Sequence, residues 1–480
     1  MSERLTIGRT RRDGSVVVRR ASTVIERLGA ADLMLVWPEE MGWPQDIGAL
    51  AILDGASLID GAGRFPIEDM REHIRRRLHL VPRFRQLLLA PRVGFGWPLW
   101  VDAPSFDIDD HVGVVRVPPP GEDTQLLLAC EGLRRRPLKR SRPLWEMWFL
   151  PGLADGRVGL FMKLHHAIAD GVAGVATLSA FVDTVPEPPQ APVPAWTPAP
   201  PPSQRQLLAD NVRRRSQAAR RVLLALAAPI KTLQRLRRAW PATRELFAEG
   251  RAPRTSVNRR IGSDRRLATI RSTLDVFKEI AHPHGATVND VVLTAVAGGY
   301  RALLQSRGEP INGLVLRAFV PVSLHQEQPG QARGNVDAGM VVPLPVGEAD
   351  DVRRLERIAA ESGERKKKSR PPADRLFRSV LVQRAFLRFM PRQRFMNAYV
   401  ANVPGPPVPL YFAGAPVLEL FPLVPITANI SIGVGALWYA GRFNITVVAD
   451  LQLCPDLGVF VGGVRRSLDD LSRSVLAPAS

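Results

Sequence analysis

Two of the chain's eight histidines, His165 and His166, stand side by side in the segment KLHHAIADG at residues 163–171. A histidine with one ring nitrogen held by an internal hydrogen bond can accept a proton on the other, and its ordinary pKa of about 6.5 suits general-base catalysis at neutral pH. No serine or cysteine lies near enough in sequence to propose a nucleophile, and no metal-binding spacing such as H-E-x-x-H occurs. The segment therefore predicts proton transfer by His166, with a structural histidine at the end of a strand as the alternative.

The residues around these histidines predict a strand, a tight turn and a helix. Alternating apolar residues indicate a strand over 157–164, and a helical pattern runs over 171–182. Asp170 stands where a helix N-cap belongs, since its carboxylate can accept hydrogen bonds from free backbone amides. Gly171 lets the backbone turn without a Cβ atom. We therefore expect Asp170, Gly171 and His165 to support the turn while His166 acts as the general base.

The segment TVND, residues 287–290, predicts the start of another helix. Thr287 suits the N-cap, and Asp290 suits the third helical position of a capping box. Capping explains Thr287 and Asp290 well but explains Asn289 less well. Asn289 is therefore the better candidate for a side chain that lines a functional site.

Two further blocks indicate packing or turns. Trp145 and Trp148 lie three residues apart in the apolar run SRPLWEMWFL, where burial is the ordinary outcome for aromatic side chains. The block NVPGPP at 402–407 predicts a turn that could present backbone amides, with a plain loop as the alternative.

Charge is the most unusual property of the composition. The 480 residues include 65 basic and 46 acidic side chains, which gives a net charge of +19. Such a field attracts nucleic acid, anionic membrane surfaces or acidic substrates. Nucleic acid is disfavoured because aromatic residues make up only 6% of the chain and no RNP, zinc-finger or helix-turn-helix pattern occurs. Two cysteines, Cys130 and Cys454, are too few for a disulfide framework or a zinc site and favour a reducing compartment.

A proline-rich segment divides the chain. Nine of the 17 residues at 186–202 are proline, which excludes a helix or a central strand and predicts a stiff linker. The following stretch, 211–240, contains nine Arg or Lys and no acid, and its apolar residues recur at helical spacing with a kink expected at Pro229. Such a basic amphipathic helix is typical of a membrane-surface element, and a helix packed on the body of the protein is the alternative. No apolar stretch approaches the roughly 18 residues of a membrane span.

Strands and helices are predicted in both halves. Further strands are indicated at 314–324 and 441–450, and further helices at 289–305 and 352–360. This mixture predicts an α/β or α+β fold. We expect a disordered basic tail over 1–20, an N-terminal domain over 21–185, the linker and basic helix over 186–253, and a C-terminal domain over 254–480.

The order of several motifs resembles a known family. The pattern HHxxxDG, residues 165–171, is similar to the active-site signature of CoA-dependent acyltransferases, the superfamily of chloramphenicol acetyltransferase-like enzymes and condensation domains. Pro143, Leu144 and Trp145 resemble the PLW block of the bacterial wax ester synthase/diacylglycerol acyltransferase family. Asn289 and Asp290 resemble its ND block, and VPVSL, GN and NVPGPP follow in the family's order, over about residues 28–460. Two segments depart from the family pattern: the serine-tyrosine pair before a glycine stands here as Trp438-Tyr439-Ala440-Gly441, and the serine before NVPGP is Ala401.

The resemblance implies two chloramphenicol-acetyltransferase-like domains with mixed sheets and an active-site channel between them. It implies transfer of a long-chain fatty acyl group from acyl-CoA to diacylglycerol or a long-chain alcohol, with His166 as base, no covalent intermediate and neither a metal nor a cofactor. It places Asn289, Asp290 and the PLW residues Pro143, Leu144 and Trp145 at the substrate site. It also implies a cytoplasmic protein attached peripherally to the inner face of the plasma membrane or to lipid droplets.

Two other functions remain open at this level. One is another enzyme of the superfamily, such as a condensation enzyme that uses carrier-protein thioesters. The other is a basic lipid-binding protein without catalysis, which would keep its activity after substitution of His166.

Overall fold

Two six-stranded sheets organise the chain. The computed structural model describes residues 25–168, 177–189, 192–227, 250–323, 337–367 and 380–476. Its α-helices are α1 (Ala30–Val36), α2 (Ile67–Arg77), α3 (Asp123–Arg135), α4 (Gln204–Ala227), α5 (Leu274–Ala281), α6 (Val288–Ser306), α7 (Asp351–Lys367), α8 (Val380–Phe389) and α9 (Leu457–Leu476). Its strands are β1 (Glu26–Arg27), β2 (Asp46–Leu53), β3 (Gln86–Leu89), β4 (Leu99–Asp102), β5 (Val112–Val114), β6 (Trp145–Pro151), β7 (Val158–His165), β8 (Arg265–Thr273), β9 (Leu316–Ser323), β10 (Asp337–Leu344), β11 (Ala398–Pro404), β12 (Tyr411–Phe412), β13 (Ala415–Leu423), β14 (Ile432–Tyr439) and β15 (Arg442–Asp450).

The first large sheet holds the histidine strand β7 near its centre. Its order is β12-β13-β2-β7-β6-β5, and β7 pairs antiparallel with both β2 and β6. The second large sheet has the order β10-β9-β11-β14-β15-β8, in which β11 runs parallel to β9 and β14. Both sheets combine parallel and antiparallel pairs, since β5 also runs parallel to β6. The predicted mixed α/β fold is confirmed.

The chain crosses between the two sheets near its C-terminal end. Strands β12 and β13 belong to the expected C-terminal domain, yet they extend the first sheet, where Leu420 of β13 pairs with Ala51 of β2. The next strand, β14, returns to the second sheet. The expected division at residue 254 therefore does not separate the sheets, because backbone pairing carries residues 411–423 into the N-terminal half.

Helix α6 carries Asn289 and is buried along most of its length. Thr287 and Asp290 form the predicted capping box at its start. Gly299 lets α9 approach closely, since a Cβ atom there would lie 2.7 Å from Val464 Cγ2 and 2.9 Å from Phe460 O. This tight packing gives the helix N-terminus a defined position.

Only the first part of the basic helix packs on the body of the protein. Leu207 of α4 is buried with Leu99 and Val101 of β4. Asp210 accepts a hydrogen bond from Arg27 Nε at 2.6 Å, and Asn211 donates one to Gly94 O at 2.6 Å. Beyond Asn211 every described side chain of α4 is exposed, and the rest of the predicted stretch, 228–240 with Pro229, lies outside the described residues.

Most other predicted elements are present. The strands expected at 157–164, 314–324 and 441–450 appear as β7, β9 and β15, and the helices expected at 289–305 and 352–360 appear as α6 and α7. Residues 186–189 and 192–203 carry neither helix nor strand, as the proline content predicts. Residues 1–24 and the first half of the expected helix at 171–182, residues 171–176, lie outside the described residues, and residues 177–179 are helical. No helix in the described part of the chain is long and apolar enough to cross a membrane.

Candidate active site

Backbone hydrogen bonds hold the histidine turn to two neighbouring segments. The His165 amide donates to Leu144 O at 2.9 Å, and the His166 amide donates to Gln45 O at 2.8 Å. The Ile168 amide closes the turn by donating to His165 O at 2.9 Å. Leu144 precedes β6 and Gln45 precedes β2, so both neighbours of β7 in the sheet fix the position of the turn.

The first histidine of the pair is buried and faces away from solvent. His165 is 1% exposed, and its Nδ1 accepts a hydrogen bond from the Ala167 amide at 2.9 Å. Its Nε2 lies 3.2 Å from Glu39 Oε1 in the 3-10 turn Trp37–Met41. Arg140 donates to the other carboxylate oxygen, Oε2, at 2.9 Å. Because Nδ1 accepts, the neutral ring carries its proton on Nε2, which is the nitrogen beside the carboxylate.

Burial and neighbouring groups shift the pKa of the Glu39 carboxyl group in opposite directions. Burial raises the pKa of Glu39, but its interactions with His165 and Arg140 lower it more, so that the net pKa lies below the ordinary value of 4.5. Glu39 is therefore an anion at neutral pH.

Buried charges also lie beneath the turn. Arg134 of α3 donates to Asp46 Oδ2 at 3.1 Å, and its Nη2 lies 3.4 Å from Val424 O in the segment after β13. Lys163 of β7 donates to Leu133 O at 3.2 Å, and burial lowers its pKa from the ordinary value of 10.5. These bonds tie α3 and the segment after β13 to the strands that carry the histidines.

A cavity of about 350 Å³ lies between the two large sheets. The first sheet contributes residues of β2 and β7, and the second contributes residues of β9, β10 and β11. The half-buried side chain of His166 lines it from the first half of the chain, and Asn289 and Lys366 line it from the second. Most of the remaining wall is apolar, including Met162 and Leu164. An apolar pocket with a few convergent polar groups is the usual form of a small-molecule site.

The two residues of the ND block have different positions. Asn289 lines the cavity. Asp290 is 2% exposed and accepts hydrogen bonds from the Thr287 amide at 2.8 Å and from Ser362 Oγ at 2.5 Å. Asp290 does not line the cavity, because its carboxylate caps α6 and holds α7, and its expected contact with substrate stays a prediction.

The PLW block also packs rather than lining the cavity. Leu144 and Trp145 are 1% and 0% exposed, Pro143 is buried, and none of the three lines the cavity that holds His166. Trp145 Nε1 donates to Phe84 O at 2.9 Å, and its ring stacks on Phe84 with centroids 4.5 Å apart. The block supports the turn through the Leu144 carbonyl and fills the core, and its expected contact with substrate stays a prediction.

Asn402 is a site residue that the sequence reasoning did not select. It was expected in a turn, but it lies within β11 and lines the same cavity as His166. Its Oδ1 atom is buried without a hydrogen-bond partner among the described residues. Ala401, at the position where the family pattern has serine, lines the cavity beside it. The NVPGPP motif was the available signal, but the motif does not show which way the side chain points.

Asp170 and Gly171 lie outside the described residues, so their expected support of the turn stays a prediction. Within the described ranges, no group of three or more His, Cys, Asp or Glu residues is arranged to hold a metal ion.

Comparisons with solved structures identify proteins that share the fold. A wax ester synthase/diacylglycerol acyltransferase from Marinobacter aquaeolei VT8 aligns with a TM-score of 0.69 and 21% identity, over 94% of this chain and all of that one. The first condensation domain of the calcium-dependent antibiotic synthetase aligns with a TM-score of 0.59 and 16% identity, over 96% of this chain and 98% of that one. The chain therefore shares the fold of these two proteins.

Comparisons of sequence identify the family to which the chain belongs. A Mycobacterium tuberculosis protein (strain H37Rv) named as a putative diacylglycerol O-acyltransferase is 31% identical over 433 residues, which cover 85% of this chain and 90% of that protein. A second protein of that strain, named as a probable diacylglycerol O-acyltransferase, is 30% identical over 81% of this chain and 84% of its own length. The family model of the wax ester synthase/diacylglycerol acyltransferase catalytic domain matches residues 28–292, and the model of the WS/DGAT C-terminal domain matches residues 333–472. The chain is an acyltransferase and belongs to the wax ester synthase/diacylglycerol acyltransferase family.

Proposed function

We propose that the protein transfers a long-chain fatty acyl group from acyl-CoA to diacylglycerol, with a long-chain alcohol as the alternative acceptor. One observation carries the proposal: an apolar cavity between the two sheets is lined by an imidazole, two amides and a lysine, from His166, Asn289, Asn402 and Lys366. The apolar wall suits lipid chains, and the lysine suits the phosphates of CoA. The relatives named as diacylglycerol O-acyltransferases favour diacylglycerol as the acceptor.

In the proposed reaction His166 is the general base. Its imidazole takes the proton of the acceptor hydroxyl as the oxygen attacks the thioester carbonyl carbon. The resulting tetrahedral oxyanion collapses, the carbon–sulfur bond breaks, and the departing CoA thiolate receives the proton from the imidazolium. The products are an ester and free CoA, and no bond to the protein forms at any step.

The two amides would stabilise the oxyanion. No hydrogen bond joins the side chain of Asn289 or of Asn402 to any other residue in the described ranges, although both line a largely apolar cavity. The side-chain N–H groups of both asparagines donate to no residue in the described ranges, so each can donate to a substrate oxygen. Donors that already point at the site of developing charge need no reorganisation during the reaction. We assign Asn289 and Asn402 this role.

Attachment to a lipid surface would bring both lipid substrates to the enzyme. Helix α4 exposes large apolar side chains in a segment with Arg213, Arg214, Arg215, Arg220 and Arg221 and only one acid, Asp210. The exposed apolar residues are Leu208, Val212, Leu223, Leu224 and Leu226. Exposed leucines beside arginines suit the interface of an anionic membrane or the surface of a lipid droplet.

A competition assay tests the proposed reaction. Purified full-length protein receives palmitoyl-CoA together with diacylglycerol and hexadecanol, and the products are separated by thin-layer chromatography. We expect triacylglycerol as the main product, without any carrier protein. Wax ester alone would make the alcohol the acceptor, and the absence of both esters would overturn the proposed function.

A further inference from the structure

A second, narrower cavity adjoins the first. It measures about 60 Å³, several times the roughly 10–15 Å³ that one water requires. Four residues line both cavities: Ala49, Met162, Leu178 and Leu437. The two spaces therefore share a wall of β2 and β7, and the narrow cavity lies further from the histidine turn.

The register of the sheet gives the direction of this path. Ile47, Ala49, Ala51 and Leu53 are alternate residues of β2 and share one face of the sheet. Ile47 lines the wide cavity, Ala49 lines both, and Ala51 and Leu53 line the narrow one. Strand β2 begins beside His165, with which Asp46 is paired. At about 3.4 Å per residue, the six steps from Ile47 to Leu53 span about 20 Å, so the path runs along the strand away from the catalytic end.

Small side chains keep this path open. Ala49 pairs with Met162, and Ala51 pairs with Leu160. At both of these pairs the β2 side chain is only a methyl group. The narrow cavity is therefore a trough that lies between larger neighbouring side chains. The trough is almost wholly apolar, so it offers an acyl chain dispersion contacts and no polar group to desolvate.

The far end of the trough is closed by the strands that cross over from the C-terminal half. Phe412 of β12 and Val417 of β13 line it and are 1% and 7% exposed. The Tyr439 hydroxyl accepts a hydrogen bond from the Leu410 amide at 2.7 Å and donates one to Val417 O at 2.9 Å. This clamp fixes the end wall on both sides of the β12–β13 turn.

We propose that the narrow cavity binds the distal carbons of the donor's fatty acyl chain and limits its length. The proposal rests on the proposed acyl transfer at His166. A narrow, apolar trough fits one unbranched chain, whereas diacylglycerol presents two chains on a branched glycerol. Both candidate reactions use the same acyl-CoA donor, and its fatty acyl chain must start at the thioester beside His166.

Substitutions that fill or enlarge the trough test the proposal. Ala51→Phe fills it, and we expect the ratio of kcat/KM for palmitoyl-CoA to that for octanoyl-CoA to fall about tenfold or more, with diacylglycerol as acceptor. Ala51→Val should shift the ratio in the same direction by less. Phe412→Ala enlarges the far end and should shift preference toward chains longer than palmitoyl. Ala62→Phe, at an exposed loop position, adds the same bulk elsewhere and should leave the ratio unchanged.

Varying the length of the acceptor alcohol shows whether the acyl chain of the donor or the chain of the acceptor occupies the trough. With octanoyl-CoA as donor and alcohols of about 8 to 18 carbons as acceptors, Ala51→Phe should leave the dependence of kcat/KM on alcohol length, the alcohol profile, unchanged. A shifted alcohol profile with an unshifted donor profile would overturn the proposal, as would an equal loss for every donor length in both Ala51→Val and Phe412→Ala.

Binding separates this proposal from the proposed reaction. The affinity of fatty acids of increasing length is measured by displacement of a fluorescent fatty acid from the full chain. If the protein transfers no acyl group from CoA, the proposed function fails, but Ala51→Phe should still weaken palmitate binding about tenfold while octanoate binding is kept. Equal palmitate binding by Ala51→Phe and the unaltered protein would overturn the pocket assignment alone.

Discussion

Glu39 Oε1 lies 3.2 Å from Nε2 of the buried His165, although the two residues are 126 positions apart in the chain. The carboxylate thereby holds the ring whose Nδ1 accepts the Ala167 amide inside the histidine turn. Glu39 does not line the cavity that holds His166. We therefore expect Glu39 to be a positioning residue, which acts through the turn on the proposed base, His166.

Replacing Glu39 by leucine should lower kcat about tenfold to a hundredfold while KM for acyl-CoA changes little, because a small displacement of the base costs rate more than binding. Glu39→Gln keeps an oxygen beside His165 and should retain more activity. Glu40→Leu, a substitution of the exposed neighbouring residue, serves as the matched control. A loss of kcat equal in Glu39→Gln and Glu39→Leu would contradict positioning by contact with the carbonyl oxygen.

His166→Ala should reduce kcat about 10²- to 10⁴-fold, the usual contribution of a general base. The melting temperature should stay near that of the unaltered protein, because the substitution keeps the His166 backbone amide that donates to Gln45 O and holds the turn. Acyl-CoA binding should also persist. His282→Ala, at an exposed histidine, is the control, and full activity in His166→Ala would remove His166 from the mechanism.

Asn402→Leu should lower kcat about 10²- to 10³-fold with little change in the KM for acyl-CoA, because an oxyanion donor acts mainly on the transition state. Asn289→Leu should have a similar effect from the other side of the cavity. Asn402→Ser retains a shorter donor and should recover part of the lost rate. If both leucine variants raise KM and leave kcat unchanged, the amides stabilise the bound substrate and the transition state equally and do not specifically stabilise the oxyanion.

The double substitution Leu223→Ser and Leu224→Ser on α4 should weaken binding to phosphatidylglycerol vesicles about tenfold or more. Each exposed leucine would otherwise bury apolar surface worth roughly 1.5–3 kcal/mol in the membrane interface. Vesicle co-sedimentation measures the effect, with phosphatidylcholine vesicles as the uncharged comparison. Leu128→Ser, an equally exposed leucine on α3, should bind as the unaltered protein does. Unchanged binding in the α4 variant would place the lipid contact elsewhere.

His111 should make the folded protein less stable in mild acid. Burial lowers the pKa of His111 from its ordinary value of 6.5, although its hydrogen bond to Trp145 O at 2.8 Å opposes this. A base whose folded pKa is depressed contributes stability that is present above the unfolded pKa and is lost as the pH falls through the folded pKa. The free energy of unfolding, measured by urea denaturation, should therefore decrease between about pH 7 and pH 5.

His111→Asn is the matching variant for this measurement, because its amide can donate to the same carbonyl but does not titrate. Its free energy of unfolding should vary less steeply with pH over that interval. An identical pH slope in the two proteins would show that His111 does not cause the acid sensitivity.

Local patterns were enough to predict several parts of the molecule. The alternation in residues 157–164 predicted β7, and Thr287 with Asp290 predicted the cap of α6, because strand and cap signals depend on neighbours within a few residues. The side-by-side histidines and the order of the motifs identified the family and selected His166 and Asn289, both of which line the cavity.

Only the tertiary structure decided which of the other motif residues reach that cavity. Asn402 lines it because β11 pairs with β9 and β14, whereas Asp290 and Trp145 are buried in hydrogen bonds and packing. Glu39 meets His165, and Phe412 closes the trough along β2, through contacts between segments more than a hundred residues apart. Strand register and helix packing set those contacts, and both depend on long-range pairing that no short stretch of sequence specifies.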